Sequence, residues 1–243
     1  MKQVEAVQLF TSSWEELKPD QFVKLHRIRD LIEEKQRTSG ETGYLKTEAL
    51  KLLCKNIKTF KRLTPGQIYD CFPLLDFIYE DTTTFVVRAV RIDQRTLGAP
   101  DPELKNLSFY ELIIADSDFS KFIISKNIQY LDHLIATLYT REVEMVTRMQ
   151  SIEVKEAIMI NYAACRNYFT ARCPNLFPKQ QKNDNDPPGP PSYTGEMWLN
   201  LLYDLAETPA YQGIENAKKA NAYEALDYLE KKAREMKNLK KLK

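Results

Sequence analysis

Apolar residues recur at three- and four-residue intervals along most of this chain, the spacing of one face of an α-helix. Phe22, Leu25, Ile28 and Ile32 trace such a face over about residues 20–35, behind Pro19 at the first helical turn. TSGETG at 38–43 reads as a loop, and a second helix is predicted over about 45–58. Thr64-Pro65-Gly66-Gln67 then has the form of a capping box, with Thr as N-cap, Pro in the first turn and Gln three residues on. The helix it opens carries Ile68, Leu75 and Ile78, with a distortion expected at Pro73. Leu17-Lys18-Pro19-Asp20-Gln21-Phe22 and Leu63-Thr64-Pro65-Gly66-Gln67-Ile68 echo one another in residue type. One echo between two similar helix starts does not make a repeat architecture.

A different period appears once. TTTFVVRAVRI, 82–92, is rich in β-branched residues and partly alternates, so it predicts a short hairpin or extended flap over about 82–97. The loop DQRTLGAPDPELKN follows. From Leu107 to Tyr139 the chain is dense in large apolar residues and contains neither Gly nor Pro, which marks the core of a helical domain. Asn106 or Ser108 can cap a helix through Ala115; further helices are predicted at about 118–125, 128–139 and 152–173, the last ended by Pro174 and Pro178.

KQQKNDNDPPGPPSYTG, 179–195, is polar and then proline-rich, the composition of a linker. Beyond it, Trp198, Leu201, Leu202 and Leu205 share one side of a helix over 197–207, and ETPAYQG breaks the chain. Tyr223, Leu226, Leu229, Ala233, Met236 and Leu239 form one apolar stripe on a final helix from Asn221 to about Lys240. The predicted fold is therefore mainly α: a multi-helix, bundle-like domain over 1–178 with at most a small hairpin, a linker at 179–195, and a helical hairpin with a basic tail over 196–243. Two such short helices have little core of their own. Trp198, Leu202, Tyr223, Leu226 and Leu229 must pack against the main body or serve as a partner-binding surface.

Composition narrows the function classes. The 243 residues carry a formal net charge of +1, so no global field calls for nucleic acid or an anionic membrane. Only 7 residues are Gly, which disfavours phosphate-cradling loops. No run approaches the roughly 18 apolar residues of a membrane span, and no secretory signal is read at the start. Cys54, Cys71, Cys165 and Cys173 are scattered and read as reduced thiols, which points to the cytoplasm.

Catalytic patterns are lacking. There is no CxxC, HxxxH, HExxH or GxSxG, and His26 and His133 lie on separate predicted helices. No cofactor, metal or catalytic residue is expected, and the chain is expected not to be an enzyme. Asp116-Ser117-Asp118 reads as a turn with an N-cap for the next helix. Lys231, Lys232, Arg234, Lys237, Lys240, Lys241 and Lys243 stand against Glu235 alone. They suit a helix C-terminus and solvation, and without interleaved aromatic residues they make no stacking platform for nucleic acid.

The order of several segments resembles a known group. These are Ser13-Trp14-Glu15-Glu16-Leu17 with Pro19 and Gln21; Leu107-Ser108-Phe109 with Glu111, Ala115 and Asp116; and Leu131, Leu134, Ala136 and Leu138-Tyr139-Thr140-Arg141. After the proline-rich break come Trp198-Leu199, Leu202-Tyr203, Leu205-Ala206, and then Tyr223-Glu224-Ala225-Leu226 with Leu229. This order resembles phage and prophage tail-assembly accessory proteins of Bacteroidetes-type bacteria, including chaperones encoded near a tape-measure protein. The resemblance implies a non-catalytic chaperone or structural accessory in the host cytoplasm or on the virion. Such a protein binds another virion or tail protein, can form homo-oligomers, and brings no catalytic residues with it. The alternative is a regulatory or nucleic-acid-associated adaptor that uses the basic final helix.

Overall fold

The computed structural model describes residues 9–38, 41–92, 94–140, 142–149, 151–178 and 195–241. Among these, eleven α-helices and one two-stranded antiparallel hairpin make a mainly α fold. The expected linker, apart from Gly195, lies outside the described residues. The chain divides into two compact units, 1–87 with 151–161, and 88–150 with 162–243. Their boundaries differ from the division at 178 and 196 that composition suggests: residues 196–243 share a unit with 88–150 and 162–178.

In the first unit, α1 (Pro19–Thr38) packs on α2 (Gly43–Leu53) and on a 3-10 segment, Phe72–Tyr79. Phe22, Leu25 and Ile32 are fully buried. The predicted helix 45–58 ends early, at Leu53, and a new turn, α3 (Ile57–Phe60), begins where the Asn56 side chain accepts N–H bonds from Lys58 and Thr59. That asparagine offers the backbone a cap, and the helix restarts instead of running through. The capping box forms at α4 (Pro65–Asp70), with Thr64 and Gln67 bonded reciprocally. Pro73 has no N–H to continue α4, and the chain tightens into the 3-10 segment.

The expected flap is shorter than its β-branched run. Only Ala89–Ile92 (β1) pairs, with Arg95–Gly98 (β2), in the second unit. Residues 82–87 stay in the first unit and are held there by Asn161 on α8 (Ile152–Arg172), numbering α5 (Phe109–Ser125), α6 (Ile128–Ile135) and α7 (Val143–Thr147) before it. The Asn161 side chain accepts the Val86 N–H at 3.0 Å and donates to the Thr84 carbonyl at 3.1 Å. A segment tied by a side chain needs no strand partner to satisfy its backbone.

The second unit is built on α5. Ser108 and Glu111 form a capping box at its start, and the helix runs unbroken through Asp116, Ser117 and Asp118. The turn and N-cap expected there is therefore absent. Leu112, Ala115 and Phe119 bury one side of the helix, and that packing carries the helix through residues with low intrinsic helix preference. α6 follows and ends in a π-helical turn, Ala136–Thr140. After Gly195 come α9 (Gly195–Ala206), α10 (Ile214–Lys219) and α11 (Ala222–Lys241). α9, α10 and α11 all pack on α5. The Phe109 N–H donates to the Ala220 carbonyl at 2.7 Å and the Ala222 N–H to the Leu107 carbonyl at 3.0 Å, so the starts of α5 and α11 are stitched by backbone hydrogen bonds.

Candidate functional site

The stripe proposed from sequence as a partner surface is interior. Trp198, Leu202, Leu226 and Leu229 are each no more than 2% exposed within the second unit. The Trp198 ring sits against Phe109, Phe169 and Phe177 at centroid distances of 5.5–6.4 Å. Its indole N–H donates to Asp116, whose other carboxylate oxygen accepts from the Arg166 guanidinium. Asp116 and Arg166 are themselves buried. Tyr223 is half-buried: Arg172 lies over its ring and its hydroxyl donates to the Glu103 carbonyl at 2.6 Å. That bond anchors a strained turn, because Glu103 and Leu104 both hold positive φ (62° and 63°). These five side chains are held by the chain's own residues and do not form a free docking face.

The histidines and thiols also have structural surroundings. His26 is buried, stacked on Trp14 at 4.7 Å with Phe22 edge-on. Desolvation, reinforced by the Arg29 charge, pushes its pKa down to about 4. All four cysteines are free. Burial pushes the Cys165 and Cys173 thiols up to about 12, which keeps them protonated and poor nucleophiles. Among the described residues, no three His, Cys, Asp or Glu side chains are placed to hold a metal ion, and no helix is long and apolar enough to cross a membrane.

Each unit has a concavity among its described residues. The first is a groove of about 820 Å³ between the start of α2 and the α4 to 3-10 corner. Tyr69, Phe72 and Pro73 wall it. Tyr69 is 70% exposed and packs on Phe72 at 5.3 Å, while the Lys46 ammonium lies 5.6 Å from the Phe72 ring centre. Glu41, Asp70 and Asp76 set an acidic rim with exposed side chains. The corner exists because Pro73 breaks the helix just after Asp70, which turns Tyr69 and Phe72 to the same side. Sequence reading placed Pro73 correctly but gave Tyr69 no role; the only signal was two aromatic residues flanking a helix break.

The second is a smaller pocket of about 300 Å³, lined by Glu111, Ile114 and Asp118 of α5, His133 of α6, the π turn and Val143 of α7. The three α5 residues fall at positions i, i+3 and i+7, on one helix face. The π turn widens the helix where Ala136 and Thr137 form the floor. Glu111 accepts from the Ser108 N–H and hydroxyl and so belongs to the cap. Asp118 is 7% exposed, and burial raises its pKa against the lowering pull of His133 and Lys121.

No family model, curated protein or solved structure matches the chain.

Proposed function

We infer that this chain is a non-catalytic assembly protein of a phage or prophage, a tail-assembly chaperone or structural accessory that holds a segment of another virion protein. The observation that carries this reading is the exposed groove at Tyr69, Phe72 and Pro73 with its acidic rim. Exposed aromatic side chains beside a helix break are what an extended or helical guest packs against, and they are residues enriched where binding energy concentrates. Three carboxylates at the rim, against one lysine already drawn over Phe72, favour a guest with basic residues flanking apolar ones. Trp198, Leu202, Leu226 and Leu229 are buried, so the groove is the accessible apolar surface that supports this reading. The order of segments that resembles tail-assembly accessory proteins supplies the class of guest.

The test uses overlapping peptides from phage tape-measure and tail proteins, followed by fluorescence anisotropy. At least one basic, apolar peptide is expected to bind. Tyr69→Ala is expected to weaken that binding at least tenfold while the melting temperature stays unchanged. Binding that ignores Tyr69→Ala, or the absence of any binding peptide, would remove this reading.

A nucleic-acid-associated adaptor is the second reading, and one observation favours it. The far half of α11 presents Lys231, Arg234 and Lys237 to solvent beside Met236 and Leu239, which are 49% and 63% exposed. Affinity for nucleic acid through these charges must fall steeply as salt rises, whereas apolar capture in the groove must not.

A further inference from the structure

The apolar stripe of α11 outruns the packing that buries it. Ala225, Leu226 and Leu229 are buried, whereas Met236 and Leu239, which continue the same three-and-four spacing, are 49% and 63% exposed. The first half of the helix is fixed to its own unit. Arg172 donates twice to Asp227, at 2.6 and 3.1 Å, and Glu230 accepts from the Asn175 and Leu176 N–H groups. α11 runs on as one helix to Lys241, so the exposed turns are already ordered and docking them costs little conformational entropy. Lys231, Lys232, Arg234 and Lys237 stand around them against one acid, Glu235. The end of α11 thus combines two exposed apolar side chains with a net positive charge.

The Tyr69 groove has the opposite make-up. Tyr69, Phe72 and Pro73 give it apolar walls, and Glu41, Asp70 and Asp76 outnumber Lys46 among its charged residues; Thr42 and Gly43, where α2 begins, complete the lining. Its volume of about 820 Å³ lies in the range of sites that enclose whole ligands. Methionine suits such walls, because a thioether packs favourably against aromatic rings. The basic residues around Met236 match the carboxylate rim, and opposite charges of this kind speed encounter and fix orientation.

We propose that the exposed end of α11 from one copy of this chain docks in the Tyr69 groove of a second copy. Groove and helix end are different patches, so the contact is heterologous and assembly grows head to tail. A contact made by so few side chains belongs to the weak, transient class. The proposal does not rest on the virion guest proposed above, which would compete for the same groove.

Sedimentation equilibrium of the full chain, from micromolar to near-millimolar protein, tests it. The mean mass is expected to rise with concentration and to rise less at high salt, which screens the rim charges. Tyr69→Ala, and Met236→Glu combined with Leu239→Glu, are each expected to weaken self-association by about tenfold or more with the melting temperature unchanged. Mixed in equal amounts, these two variants are expected to form a one-to-one complex and nothing larger, because one supplies an intact helix end and the other an intact groove. Self-association that survives either variant, or a mixture that forms no complex, would overturn the proposal. A parent chain that stays monomeric throughout would also overturn it, and would return the α11 face to the nucleic-acid reading. Should a variant fail to fold, amide NMR of the parent on dilution decides. Signals near Tyr69 and Phe72 and near Met236 and Leu239 must shift together; a shift at one patch alone, or at neither, sinks the idea.

Discussion

The indole N–H of Trp198 donates a 2.7 Å hydrogen bond to the carboxylate of Asp116, 82 positions earlier in the chain. This bond ties the first helix after the proline-rich stretch to the centre of α5. It also explains why α5 carries a carboxylate on its buried side: Asp116 receives one charged and one neutral donor, so its burial is compensated. Removing a single partner of such a pair is costly, whereas the intact pair adds little beyond an apolar substitute.

Asp116→Ala is therefore expected to destabilise the protein by roughly 3–5 kcal/mol, because it strands the Arg166 charge in the interior. Trp198→Phe keeps most of the ring and removes only the donor, for an expected loss of about 1–3 kcal/mol. Urea unfolding of both variants and of the double variant measures their coupling. Additive losses would show that the two side chains do not share an interaction.

Leu226→Ala tests the role of the C-terminal stripe. The side chain is 2% exposed, so truncation is expected to cost on the order of 2–5 kcal/mol and to lower the melting temperature of the isolated protein. Met236→Ala, on the exposed continuation of the same stripe, is expected to leave melting within about 0.5 kcal/mol of the parent. A stable Leu226→Ala variant would contradict the packing described for α11.

His26 makes stability depend on pH. Its folded pKa lies near 4, below the ordinary 6.5 of an unfolded histidine, so the unfolded chain binds the proton more readily. The contribution is complete above pH 6.5 and is lost as pH falls from 6.5 toward 4, by roughly 1.4 kcal/mol per pH unit at most. His26→Phe is expected to keep the stacking on Trp14 and to flatten the stability profile in that window. Unfolding midpoints at pH 4.5, 5.5 and 7 distinguish this from a general acid sensitivity, which would persist in the variant.

Asn161 is expected to be the tie that holds 82–86 in place. Asn161→Ala leaves the buried Val86 N–H without its acceptor, at a cost of about 1–3 kcal/mol. Hydrogen exchange provides the local readout: the Val86 amide is expected to lose protection more than amides in the α1 core. Uniform loss across both would mean that the substitution acts globally.

The fold class and the strongest local signals were legible in the sequence. Thr64 with Gln67, and Ser108 as one of two candidates ahead of α5, are caps, and a cap is formed by residues a few positions apart whatever the rest of the chain does. Helical periodicity likewise reports which face will be buried, as it did for Phe22, Leu25 and Ile32. What covers that face is a different matter. Trp198 and Leu226 left both a core position and a docking surface open, and only tertiary packing placed Phe109, Phe169, Phe177 and Asp116 around the tryptophan. Asp116 and Asp118 read locally as turn residues, yet burial of their neighbours on α5 carried the helix through both. The β-branched run at 82–92 was divided between a side-chain tie from Asn161 and a short ladder, because backbone groups accept whichever partner the long-range fold brings near. The groove at Tyr69 and the pocket at Asp118 have the same origin. Each is a space left between separate elements, and a spacing rule along one segment contains no term for the gap beside it.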